Sequence, residues 1–180
     1  MRSRPLLKLF LLLAMAGYAQ TNAPHTYTAN ARTFSYTLTV FDPPVAIEPD
    51  PSRLNQDTAV NCMILYMSRL SKGDIAGAAA LTTDPESAAK VYADAKARMG
   101  DAEFAKQLAI LFNGDRYRYE LIEGHEHVLI SEKIPGGGQA LIERNGKFWM
   151  DRAKFQHESQ EFQDLFALVN DHAAGKVEFK

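Results

Sequence analysis

One cysteine, Cys62, is all the chain carries in 180 residues, so no disulfide can form within it and its stability has to come from packing. Long hydrophobic runs are missing too. The longest, Leu9 to Ala16, falls short of the ~20 apolar residues needed to cross a ~30 Å hydrocarbon core, which argues against a transmembrane anchor. Surplus positive charge is also lacking: 20 Lys and Arg stand against 22 Asp and Glu. That balance argues against nucleic-acid binding, which rests on basic surface meeting phosphate. There is no internal repeat and no complete catalytic, cofactor or metal motif, so no cofactor is expected.

What is there begins with an address. Arg2, Arg4 and Lys8 precede the apolar run, and small residues follow at Gly17 and Ala19, the layout of a secretory signal peptide over residues 1–19. Cleavage is expected between Ala19 and Gln20, with Ala16/Gly17 as the second choice. No cysteine sits at either point, which argues against a lipid anchor. The expected localisation is periplasmic or secreted. Removing those residues, which hold three basic and no acidic side chains, moves the formal charge from −2 to −5. What remains fits one domain with a single core.

From Thr33 to Phe41 the chain alternates Phe34, Tyr36, Leu38 and Val40 with Thr33, Ser35, Thr37 and Thr39, the period of a half-buried strand. Pro43, Pro44, Pro49 and Pro51 follow. Each fixes φ and removes a donor, so the stretch reads as an extended connector outside any sheet interior. Residues 20–52 are thus expected as a strand and Pro-rich connector ahead of a single domain over 53–180.

Arg53 to Lys72 predicts a largely enclosed helix with Asp57 as its cap and Gly73 as its stop. Asp74 is expected to cap a short helix, and Asp84-Pro85 to open a third with Ala88, Tyr92, Ala95 and Met99 inward. Phe104, Leu108 and Leu111 mark a fourth, ending at Asn113-Gly114. The period then changes. Strands are expected at Arg116–Ile122, Glu126–Lys133, Gln139–Arg144 and Lys147–Asp151, the last two joined by the hairpin signal Asn145-Gly146. Phe162, Leu165, Phe166 and Val169 fall on one helical face of a C-terminal helix, after which Val177-Glu178-Phe179 reads as a short edge strand. The fold class is therefore α+β: helices followed by a curved antiparallel sheet of about four strands, with the N-terminal strand and C-terminal helix packed on it.

Two stretches carry a resemblance. A long apolar helix closes in Lys72-Gly73-Asp74, followed by Ala76, Ala78, Ala79, Ala80 and Leu81, and Arg144-Asn145-Gly146-Lys147-Phe148-Trp149-Met150 forms a late strand after a Gly-Lys-aromatic turn. In these the chain resembles the small exported members of the NTF2-like superfamily, over roughly residues 55 to 151. The resemblance implies a cone-shaped pocket and not a reaction, because that superfamily holds isomerases, dehydratases and non-enzymatic binding modules. Such a pocket would be lined by Tyr66, Tyr92, Tyr117, Tyr119 and Trp149.

Glu123, His125 and His127 alternate, and on one continuous strand they would offer two imidazoles and a carboxylate to a metal ion. Gly124 reads as a turn that breaks that face, so no metal is expected. His157-Glu158 and Asp171-His172 are adjacent pairs that diverge on a helix and read as surface charges. Cys62, amid apolar residues, reads as core. Gly136-Gly137-Gly138 lacks the Gly-Lys-Ser/Thr helix opening of a phosphate loop. In Arg116-Tyr117-Arg118-Tyr119, alternation puts both arginines on one face and both tyrosines on the other. No carboxylate stands out in the apolar segments, and Asp74 and Asp84 are explained by capping. The reading is a non-enzymatic binding module that docks an envelope protein or a small apolar ligand, with a homodimer compatible. Its rival is a small pocket enzyme, an isomerase or hydrolase using His or Tyr as acid–base groups.

Overall fold

A computed structural model describes residues 18–21, 23–48, 50–111, 114–151 and 159–179. The expectations for the start of the signal peptide and for His157-Glu158 fall outside them. Strands come before helices as well as after. β1 (Tyr18–Thr21) and β2 (His25–Ala29) both pair antiparallel with the long β3 (Arg32–Ala46), β2 along its first half and β1 along its second. The junction Ala19–Gln20 lies within β1. Together these two strands form one edge of a sheet that continues from β3 through β4 (Arg116–Glu123), β5 (Glu126–Ser131) and β6 (Gln139–Arg144) to β7 (Lys147–Met150), every pairing antiparallel. The class is α+β, as expected. The four-strand, helix-first version is corrected, since β3 pairs along the side of β4 away from β5.

Pro43 and Pro44 do not stand outside the sheet, whereas Pro51 opens a short 3-10 turn beyond it. β3 runs on through Pro43 and Pro44 to Ala46, because the register breaks between Val40 and Val45 and the rings fall where the β4 ladder asks for no donor. Opposite the break, Arg118 Nη1 donates to the Phe41 carbonyl at 3.3 Å.

Five helices follow the pattern more closely. α1 (Ala59–Ser71) is shorter than expected and is capped by Thr58, not Asp57: Thr58 Oγ1 accepts from the Asn61 amide at 3.1 Å, and a cap must sit one residue before the first helical φ/ψ. Gly73, at φ 74°, ends it. Asp74 caps α2 (Ile75–Ala79), and Asp84 caps α3 (Pro85–Met99) with Pro85 in its first turn. α3 buries Ala88 and Tyr92, but Met99 is exposed, since the helix ends there. α4 (Asp101–Leu111) precedes β4, and α5 (Gln160–Ala173) closes the chain. Residues 177–179 form no strand. Instead Phe179 folds back and stacks on His172, ring centroids 4.0 Å apart.

The sheet is covered on both faces. On one, α1 to α4 pack Met63, Ile64, Leu70, Tyr92 and Phe104 against Tyr117, Leu129, Leu141 and Met150. On the other, α5 packs Phe162, Leu165, Leu168 and Val169 against Leu38, Leu121, Val128 and Ile130. β5, buried along its whole length, supplies both cores by simple alternation. β4 does so by a bulge. Tyr117 pairs with Ser131 and Tyr119 with Ile130, so one extra residue on β4 turns Tyr117 to the α1 face and Tyr119 to the α5 face. The expected shared face of the two tyrosines is thereby corrected.

Candidate functional site

On the α1 face, Cys62 is fully buried and donates from Sγ to the Phe148 carbonyl at 3.1 Å, an oxygen that also accepts from Gln56 Nε2 at 2.7 Å. Burial pushes the thiol up to about 12, so it stays protonated and inert at neutral pH. Beside it the Phe148 ring meets the edge of His127, centroids 4.8 Å apart. His127 Nδ1 lies 2.7 Å from Glu120 Oε1. An ionised carboxylate only accepts, so the imidazole carries a proton on Nδ1 and is fixed in orientation by Glu120.

Tyr66 and Tyr92 face each other with centroids 6.4 Å apart, and both join Tyr117 in the α1-side core. Burial pushes the Tyr92 and Tyr117 phenols above their ordinary range, with the Asp115 carboxylate adding to the effect at Tyr117. Tyr119 is across the sheet, edge-on to His172 and Phe179. Trp149 is half-buried in β7 opposite Ile142. Three of the five aromatic candidates are therefore brought together and two are not.

The Glu123, His125 and His127 triplet is dispersed. Gly124, at φ 59°, and His125 form the β4–β5 turn, where His125 is exposed. His127 points to the α1 face, and Glu123 lies on the α5 face, as the ion pairing below shows. Among the described residues, no group of three or more His, Cys, Asp and Glu is placed to hold a metal.

Glu123 belongs instead to a buried acidic cluster beneath the first turn of α5. Ser159 caps that helix, accepting from the Phe162 amide at 3.2 Å while donating to Glu126 Oε1 at 3.0 Å. Asp164 accepts from Gln160 Nε2 at 2.9 Å and meets Arg32 Nε at 2.9 Å. The same guanidinium reaches Glu123 Oε1 at 3.9 Å. Among the described residues, Glu123 Oε2 is buried without a hydrogen-bond partner. Burial first, and then the Asp164 carboxylate, push the Glu123 carboxyl up to about 7; Arg32 pulls it down and Glu161 adds to the rise.

The sequence reading passed over Arg32, Glu120, Glu126 and Asp164. Asp164 had a signal: it sits four residues before Leu168 on α5, on the flank of the apolar stripe, where a carboxylate is enclosed once the helix docks. Arg32 had none, being placed by a turn whose second residue, Ala31, takes φ 65°. Asp171 and His172 are more than surface charges. Asp171 accepts from Tyr27 Oη at 2.8 Å and Lys176 Nζ at 2.6 Å, and His172 is held by the Val177 carbonyl at 2.9 Å.

No family model, curated protein or solved structure matches this chain.

Proposed function

We propose that the mature chain is an exported, non-enzymatic binding module of the cell envelope, of the NTF2-like kind, which docks a protein partner through its α3–α4 hairpin. The carrying observation is that Val91 and Met99 on α3 and Ile110 on α4 are exposed, Val91 and Ile110 by more than half. Three of the five exposed large apolar side chains among the described residues lie on this one hairpin, with Leu54 and Ile134 elsewhere, and apolar surface of this kind suits a protein interface. Its opposite side is occupied, since Tyr66, Tyr92 and Tyr117 are enclosed in the core. This favours a protein partner over a small apolar ligand bound among those rings. The NTF2-like reading draws on α1, which ends at Ser71 just before Lys72-Gly73-Asp74 and packs on β5 to β7.

The second reading, a small isomerase or hydrolase, draws on the His127–Glu120 pair, an oriented imidazole of the kind a general base requires. One experiment separates the two. The chain from Gln20 and its Val91→Lys/Ile110→Lys variant serve as parallel baits in envelope extract, with native mass read on each. The expected result is a stoichiometric protein held by the first bait and lost from the second. Equal retention would overturn the hairpin as the docking face, and a bait that retains only a small molecule would move the reading to the enzyme.

A further inference from the structure

Where α5 meets the β4–β5 hairpin, one cation among the described residues faces several carboxyl groups, of which Glu123, Glu126 and Asp164 are enclosed and Glu161 is exposed. Arg32 enters from the β2–β3 turn. Glu123 comes from β4, Glu126 from β5, and Glu161 and Asp164 from α5. Glu126 is committed to Ser159 and Asp164 to Gln160 and Arg32. Arg32 cannot serve both remaining acids equally: it lies 2.9 Å from Asp164 but 3.9 Å from Glu123. Among the described residues, no hydrogen-bond donor reaches the enclosed Glu123 Oε2, and Asp164 Oδ2 is met only by its ion pair with Arg32. Of the described histidines, His125 is nearest in sequence, and it is exposed at the hairpin turn.

We propose that Glu123, set against Asp164 across Arg32, forms a proton-operated latch holding the first turn of α5 against the β4–β5 hairpin, closed while Glu123 is protonated and loosened when it ionises. Two like charges in an enclosed site cannot both ionise without cost, and a single proton removes one of them. The sign follows from linkage. A carboxyl raised from its ordinary 4.5 to about 7 in the folded chain favours the protonated folded state. Its contribution is complete below the unfolded value and is lost as pH rises through the folded one. Between pH 6 and pH 8 that amounts to about tenfold in the opening equilibrium.

The test is carboxyl-carbon NMR of Glu123 together with hydrogen exchange of the Phe162–Leu165 amides, corrected for intrinsic rate, in the full chain and three variants. The wild-type carboxyl is expected to titrate near neutrality, with the α5 amides opening about tenfold more readily at pH 8 than at pH 6. Glu123→Gln should keep the latch closed and flatten that dependence. Asp164→Asn should lower the Glu123 titration by removing its like charge, and Arg32→Gln should raise it. Electrostatic coupling without a latch would move these midpoints but leave the α5 amide opening unlinked to them, whereas the latch makes the opening follow the Glu123 midpoint in each variant. A Glu123 midpoint in the ordinary carboxylate range, or an unchanged pH dependence in Glu123→Gln, would overturn the proposal.

Discussion

The two faces of the sheet bury polar chemistry in opposite ways. On the α1 face Glu120 accepts a hydrogen bond from His127 Nδ1–H, and the Cys62 thiol donates one to the Phe148 carbonyl. On the α5 face, Glu123 and Asp164 gather around one arginine, and among the described residues Glu123 Oε2 has no hydrogen-bond donor. Buried polar groups with matched partners make a scaffold that is indifferent to mild pH change, whereas buried like charges make one that responds to it. The difference is one of pairing, since both faces are closed by packed apolar side chains.

The sharpest way to break the contrast is to make the α1 face behave like the other. Ile64→Asp puts an unpaired charge beneath α1, where Ile64 is 2% exposed, and is expected to cost about 4 kcal/mol or more in chemical denaturation. Truncation on either face tests whether the two cores are equally tight: Leu129→Ala and Leu165→Ala, both fully enclosed, should each cost about 3 kcal/mol. A much smaller value for Leu165 would mean that α5 is a loosely held layer. His127→Ala removes the partner of an enclosed carboxylate and should cost about 2 kcal/mol. His125→Ala, at the exposed turn, should stay within about 0.5 kcal/mol. If the two histidine variants melted alike, the matched pairing assigned to the α1 face would be wrong.

These histidines also show what could be read from the sequence. Gly124 announced a turn, and a turn sufficed to separate Glu123 from His127; nothing in the spacing said that one histidine would be enclosed and the other solvated. Helix limits were legible where a cap and a stop coincide, as at Asp84-Pro85 and Gly100, because such signals act over a few residues. Asn145-Gly146 announced its hairpin in the same local way. Asn30-Ala31 makes an equivalent two-residue turn with both φ values positive, yet alanine gives no sign of it, so β2 and the position of Arg32 went unseen. The two bulges were illegible for a different reason. A register shift is settled by the strand alongside, and neither the Pro43-Pro44 stretch nor Arg118 reveals which residues its neighbour will skip.

The bulge in β4 reaches beyond local geometry. By sending Tyr117 to one core and Tyr119 and Leu121 to the other, it makes a single strand common to both hydrophobic interiors. Neither interior can melt fully while that strand stays in register, so heat should meet one cooperative body. A single endotherm whose calorimetric and van't Hoff enthalpies agree is the expected calorimetric record. Two separable endotherms would show the helical layers coming away from the sheet one at a time.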